Sequence, residues 1–418
     1  MYFKPFTKIA RTLEDIKNST YTIFNNQLGI KATINSFSLK LIFECVNPMG
    51  EINRIYFLIP KYKLFFRQLE KLGFLEKDYS EGPRFLCDYQ DITTLPLTSL
   101  NIELTHRCNF KCLHCYGSFG GNEDNAYISL KQVEKLIPEL NKLGTINISL
   151  TGGECLLNPD FEKIAILLLN NGFNLWILSN GYLTDKLIAF TSKVKEFKFA
   201  VKISLDGNEN HQTIIRGMPD AYERVIKTLD YLNAQNNITL YISSTLMRIN
   251  FNEYESLRGF IQLRFPNATH TVNLVFPDGN SLQSKQAFSL SELNDIKSIH
   301  PELFKVKSDK QNVHRCSGGI NQCTLSPDGS LKICNAACDK RFKFIHNVFE
   351  TSLIYAWVNC GKLITFYRNE LNYSSPECIN CKNKKSCFAN NCRIMALLYK
   401  GDETKCSPLT CMSAELAE

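Results

Sequence analysis

The chain has 418 residues, 44% of them hydrophobic and 21% charged, a soluble globular composition too long for one ordinary core, so two or three domains are expected. A formal charge of +7 is spread without a Lys/Arg block or aromatic–basic alternation, which argues against nucleic acid as a partner. No run approaches the roughly eighteen apolar residues of a membrane span, and Met1-Tyr-Phe-Lys-Pro-Phe6 lacks a signal-peptide core, so a cytoplasmic protein is expected.

In a reducing compartment, seventeen cysteines read as metal or cluster ligands rather than disulfides. Residues 1 to about 92 carry only Cys45 and Cys87. Short strands are expected at Tyr21–Phe24, Gly29–Asn35 and Ser38–Phe43, followed by the apolar run Ile55–Ile59. Tyr62 to Leu72 has helical spacing, with Tyr62, Phe65, Phe66, Leu69 and Leu72 on one side. This small module is either a separate binding domain or an extra layer on the main fold.

From Thr98 to Phe276 strand, loop and helix alternate. Strands are expected at Thr98–Leu104, Thr145–Leu150, Leu175–Ser179, Phe199–Leu205, Thr239–Ser244 and Thr271–Phe276. Helices are expected at Ser129–Leu143, Asp160–Asn170, Thr184–Thr191 and Ala221–Gln235. Such units build a mostly parallel sheet with helices outside, either a partial barrel or an open sheet, whose chemistry sits at the strand C-termini.

The first of those strand ends carries Thr105-His-Arg-Cys-Asn-Phe-Lys-Cys-Leu-His-Cys-Tyr116, placing Cys108, Cys112 and Cys115 in a C-x3-C-x2-C pattern. That spacing is neither a zinc pair of C-x2-C knuckles nor a ferredoxin run. Three thiolates on one loop can wrap one face of a cubane cluster and leave its fourth iron open. The second strand runs into Thr151-Gly-Gly-Glu154, where Gly152 and Gly153 let a ligand approach the backbone and Glu154 can accept from an ammonium group. Ser179-Asn180-Gly181 ends the third strand. Ser204-Leu-Asp206-Gly ends the fourth, with Arg216 beyond it; all offer groups suited to sugar hydroxyls or a carboxylate, although Asp206 serves equally as a turn cap.

A long variable stretch, 277–313, leads to a tail with eleven cysteines: Cys316, Cys323, Cys334, Cys338, Cys360, Cys378, Cys381, Cys387, Cys392, Cys406 and Cys411. Thiolate ligation can replace a hydrophobic core there. A zinc ribbon is the alternative.

Together the three-cysteine loop, Thr151-Gly-Gly-Glu154, Ser179-Asn-Gly and Ser204-Leu-Asp-Gly resemble the radical S-adenosylmethionine (SAM) superfamily. The resemblance implies a [4Fe–4S] cluster on Cys108, Cys112 and Cys115, with SAM on its open iron as the source of a 5′-deoxyadenosyl radical. Gly152, Gly153, Glu154, Ser179, Asn180, Ser204, Asp206 and Arg216 are then the expected SAM-binding residues. His114 replaces the usual aromatic before the last cluster cysteine. Cys155 replaces a common proline, either as a turn residue or as a thiol near the radical path that donates hydrogen.

The tail resembles the SPASM extension of peptide-modifying relatives, which implies two auxiliary [4Fe–4S] clusters. Cys316, Cys334 and Cys392 serve the first; Cys378, Cys381, Cys387 and either Cys406 or Cys411 serve the second. A further ligand to the first cluster is absent upstream of Cys316; Cys323 or Cys338 could substitute, or an iron could stay open to a substrate thiolate. Residues 17–80 resemble the winged-helix domain that binds a precursor's leader peptide as an added strand.

The expected architecture is therefore α/β: a partial (β/α)6 TIM barrel over 93–313, an N-terminal winged-helix-like domain over 1–92 and a C-terminal cysteine-rich iron–sulfur domain over 314–418. The expected activity is crosslinking of a ribosomally made precursor peptide, first as a thioether from Cys to an α-carbon. Carbon–carbon or ether crosslinking, epimerisation, sulfatase-maturing-type oxidation and a non-catalytic iron–sulfur sensor are the alternatives. Flavodoxin or ferredoxin is the expected electron donor.

Overall fold

The computed structural model describes residues 1–10, 20–46, 51–53, 58–80, 95–120, 126–304, 316–369, 377, 381 and 392–416. At the N-terminus, β1 (Tyr2–Phe3) pairs antiparallel with a later strand. β2 (Thr7–Ala10), β3 (Thr20–Asn25) and β4 (Ile30–Asn35) form an antiparallel meander, and β5 (Leu75–Glu76) is the partner of β1. Helices Ser36–Cys45 and Pro60–Lys71 cover these strands around a core of Phe3, Ile23, Ile42, Ile52, Phe66 and Phe74.

The segment expected as a third strand, Ser38–Phe43, is helical. Asn35 caps it, its side chain accepting from the Ser38 N–H at 2.8 Å, and Leu39, Ile42 and Cys45 then fall inward at helical spacing. Most of the expected run Ile55–Ile59 lies outside the described residues.

The main sheet begins at β6 (Ser99–Thr105) and continues through β7 (Asn147–Gly152), β8 (Asn174–Ser179), β9 (Phe199–Ser204), β10 (Ile238–Leu246) and β11 (Thr269–Leu274), all parallel and in chain order. Helices Leu130–Lys142, Phe161–Asn170, Thr184–Lys193, Ala221–Asn233 and Tyr254–Arg264 make the crossovers. Ile102, Leu150, Ile177, Val201 and Ile242 are fully buried, as strands covered on both faces require. The expected six βα units are therefore present, with ends displaced by a few residues.

The barrel stays open. β12 (Gln322–Leu325) adds to β6 in parallel, and β13 (Leu331–Lys332) folds back on β12, giving the order β11-β10-β9-β8-β7-β6-β12-β13. The cysteine-rich tail thus starts as an extension of the barrel sheet.

Of the stretch 277–313, the described part, 277–304, carries regular structure. Helix Leu290–Ile299 opens with a capping box of Ser289 and Glu292, and Phe288, Leu293 and Ile296 pack with Met247, Val275 and Met412. No helix among the described residues is long and apolar enough to cross a membrane.

Candidate functional site

Cys108, Cys112 and Cys115 lie on the loop after β6, at the C-terminal edge of the sheet. Two other segments hold that loop. Lys111 and Leu113 donate backbone N–H groups to the carbonyls of Arg216 and Ile215 at 3.2 and 2.9 Å. From the other side Asn280 donates its backbone N–H to the Cys115 carbonyl and its side-chain amide to the Cys112 carbonyl, at 3.0 and 2.9 Å, while Ser284 Oγ donates to Leu113 O at 2.9 Å. Asn280 and Ser284 were not singled out by sequence; the Pro277-Asp-Gly-Asn turn was the only signal.

Each of the three sulfurs receives an N–H donor. The Phe110 and Phe119 amides reach Cys108 and Cys115 at 3.4 Å, and Arg216 Nη1 reaches Cys112 at 3.6 Å. Burial pushes the Cys108 thiol up to about 12, and burial raises Cys112 as well, so these sulfurs become thiolates only with a metal to compensate. A single tetrahedral zinc, with Zn–S near 2.3 Å, would hold its sulfurs about 3.8 Å apart. Among the described residues no three cysteine sulfurs lie within 4.8 Å of one another. A wider multi-iron cluster with hydrogen-bonded sulfurs fits this donor set better than one ion.

Gly152 and Gly153 explain how β7 meets the loop. A Cβ on Gly152, at φ +127°, would stand 2.3 Å from Thr105 O; one on Gly153 would stand 2.3 Å from Arg107 O. The backbone that approaches these glycines is that of the cysteine loop, with Gly153 and Glu154 N–H donating to Thr105 and Arg107 carbonyls at 2.9 Å. Glu154 is fully buried, and burial raises its pKa. It accepts from Asn180 N at 2.8 Å, Leu156 N at 3.1 Å, Ser179 Oγ at 3.1 Å and Cys155 Sγ at 3.7 Å. A carboxylate has about four acceptor positions, so an ammonium group would displace one of these donors, and the Cys155 thiol is the weakest.

Cys155 itself is fully buried in the main core, its Sγ 3.3 Å from Leu178 O. Asn180 joins the site to the cysteine loop through Nδ2 to Asn109 Oδ1 at 2.8 Å. Ser204 is half-buried at the end of β9. Asp206 is fully buried, accepts from Thr245 N at 2.9 Å and pairs with Arg216 Nη2 at 2.5 Å. His114 Nε2 lies 3.9 Å from the same carboxylate, and burial holds its pKa down near 4. Asn109 Nδ2, His114 Nδ1 and Arg216 Nε are buried without a hydrogen-bond partner, a set of polar atoms around the cysteine loop suited to a polar ligand.

In the tail, Cys316, Cys334 and Cys392 are electrostatic neighbours. Burial and the other two thiols push Cys334 up to about 12, and burial and Cys316 push Cys392 up to about 11. Cys323 is fully buried in the core on β12. Cys338 is exposed and turned toward the first loop, donating to Tyr116 O at 3.4 Å. Cys406 lies against Glu377 at 2.7 Å and Lys400 at 3.0 Å. Cys381 is exposed and Cys411 half-buried; Cys378 and Cys387 fall outside the described residues.

Residues 102–261 match the family model described as the Radical SAM superfamily. AlbA of Bacillus subtilis, a subtilosin biosynthesis protein, is 24% identical over 60% of this chain, which spans only 57% of AlbA's length. Streptococcus suis SuiB bound to S-adenosylmethionine superposes with a TM-score of 0.68 at 17% identity, covering 97% of this chain and 98% of SuiB. SuiB bound to its precursor peptide SuiA gives 0.69 at 15% identity, covering 97% and 99%.

Proposed function

We propose that this chain, which carries a radical SAM domain over residues 102–261, is a peptide maturase that installs an intramolecular crosslink in a ribosomally made precursor. The bond assigned first is a thioether from a Cys sulfur to an α-carbon. The observation that carries the reading is the seating of Cys108, Cys112 and Cys115 at the sheet's C-terminal edge, bridged to the Glu154 carboxylate through Asn180, in a fold that follows SuiB along 97% of the chain. AlbA adds a relative that serves bacteriocin biosynthesis.

Cys108, Cys112 and Cys115 would hold a [4Fe–4S] cluster, and Glu154, Ser179, Asn180 and Ser204 would line the SAM site with Gly152 and Gly153 beneath it. When bound there, SAM supplies a hydrogen-abstracting 5′-deoxyadenosyl radical. The chain's own part is to fix the loop, hold the ligand with its buried carboxylate Glu154 and present the peptide. Cys316, Cys334 and Cys392 would hold the first auxiliary cluster. An iron of that cluster left open would take a substrate thiolate. Cys378, Cys381 and Cys387, with Cys406, would hold the second. Residues 1–92 would take the leader, 93–313 the radical chemistry and 314–418 the auxiliary clusters, with flavodoxin or ferredoxin as donor.

Anaerobic reconstitution with reductant and SAM should yield 5′-deoxyadenosine. Coexpression with a short Cys-bearing peptide encoded beside the gene should yield a product lacking two hydrogens per bond, its cysteines closed to alkylation. A product of that mass with free thiols identifies carbon–carbon or ether crosslinking, and unchanged mass with an inverted residue identifies epimerisation. Cluster-loaded protein that makes no 5′-deoxyadenosine overturns the assignment.

A further inference from the structure

The three sulfurs of the first loop do not have equivalent surroundings. Cys108 and Cys115 receive neutral backbone amides, while Cys112 receives the guanidinium of Arg216. Arg216 ends the helix Glu209–Arg216, which stops at Gly217 with φ +67°, and its own carbonyl accepts from Lys111. The side chain is therefore anchored by the same turn that pairs with the cysteine loop.

Asp206 aims it. The carboxylate is fully buried and takes Arg216 Nη2 on Oδ2, with Thr245 N on Oδ1. Its backbone is fixed by Gln212 Oε1, which accepts from Asp206 N at 2.8 Å, and by Asn250 Nδ2, which donates to Asp206 O at 2.7 Å. With Nη2 on the carboxylate, Nη1 is left for sulfur. Arg216 is 6% exposed, so water does not compete for that nitrogen.

A charged N–H donor withdraws density from a ligating sulfur and favours the reduced, more negative cluster. We infer that Arg216, positioned by Asp206, hydrogen-bonds the Cys112 sulfur and raises the reduction potential of the cluster on this loop independently of SAM. The inference rests on the reading of Cys108, Cys112 and Cys115 as cluster ligands. It gives Arg216 a different role from the carboxylate contact its sequence position suggests.

The test is an EPR-monitored redox titration of the full, anaerobically reconstituted chain without SAM. The relevant signal is the one that SAM addition perturbs and that Cys112→Ala removes. Arg216→Gln and Asp206→Asn should both move its midpoint to more negative potential, while Arg216→Lys, which keeps a charged donor, falls between them and the parent. If Arg216→Gln loads no cluster, Asp206→Asn and Arg216→Lys decide. An unchanged midpoint with weakened SAM binding overturns the inference and makes Arg216 a SAM contact. A parent protein with no cluster on this loop overturns the reading beneath it instead.

Discussion

Glu103 on β6 and Lys332 on β13 form a buried ion pair at 2.8 Å, joining the barrel edge to the hairpin that opens the cysteine-rich tail. Glu103 is fully buried and the Lys332 side chain is 7% exposed. Ser326 Oγ at 2.9 Å, His106 Nε2 at 3.4 Å and Tyr116 OH at 3.5 Å complete the acceptor sites of Glu103. The pair therefore ties the first cysteine loop, through His106 and Tyr116, to the segment that carries Cys334.

Removing one partner of such a pair leaves a bare buried charge and costs about 3–5 kcal/mol, whereas replacing both with apolar residues recovers much of the loss. Lys332→Met and Glu103→Gln should each lower the denaturation midpoint sharply, and Glu103→Leu/Lys332→Met should lie nearer the parent. Burial alone would raise the Glu103 pKa, but His106, Lys332 and Ser326 together hold it below its ordinary 4.5. A depressed carboxyl stabilises fully above that ordinary value and loses its contribution as pH falls through the lower folded value. Acid denaturation curves should show the parent losing this increment below pH 4.5 and the apolar double variant not losing it.

The N-terminal module docks on the face opposite the cysteine loop. Lys8 reaches Asn141 Oδ1 at 3.1 Å and stacks over Phe173, Phe6 packs on Phe197, and Gln27 accepts from Lys198 N, all just before the starts of β7, β8 and β9. A strand of six residues, as in β8 and β9, spans about 20 Å at roughly 3.3 Å per residue. A leader held by this module must cross at least that depth, about six extended residues. Shortening the spacer between leader and modified residue below this length should abolish modification, measured by mass, while leader binding by fluorescence anisotropy stays unchanged. Efficient modification of a peptide without a spacer would place leader binding elsewhere.

The tail cysteines should separate by iron content. Cys316→Ala, Cys334→Ala and Cys392→Ala should each reduce iron per chain, and Cys406→Ala should do so where Cys411→Ala does not. Cys323→Ala should keep the parent iron content yet lose about 1 kcal/mol in stability, because its sulfur fills the core rather than meeting the other thiols. Iron assay alongside denaturant unfolding of the same samples checks both halves.

The barrel was legible because parallel strands covered on both faces must be apolar runs, and the first four such runs ended in a polar motif. Ser38–Phe43 misled because Leu39, Leu41 and Phe43 alternate like a strand, while the cap from Asn35 and the inward Ile42 and Cys45 make a helix. Glu103 and Lys332 could not be found by spacing: they lie 229 positions apart, and only the pairing of β12 with β6 brings them together. Spacing did not show the packing role of Gly152 and Gly153, whose Cβ positions are filled by the chain's own loop.

That contact makes the glycine pair a sensitive lever on the cysteine loop. A methyl at position 153 would stand 2.3 Å from Arg107 O and 2.7 Å from His106 O, both rigid backbone atoms one or two residues before Cys108. Gly153→Ala should therefore displace the loop rather than merely strain β7, with cluster loading falling further than overall stability. Asn280→Ala loosens the loop from the other side by deleting the bond to Cys112 O, worth about 0.5–1.5 kcal/mol. It should leave the iron content of fresh protein near the parent value but speed its loss to a chelator. The two variants distinguish a loop that is misplaced from one that is only less tightly held. Equal chelation rates in Asn280→Ala and the parent would show that the 277–304 segment does not restrain the cluster ligands.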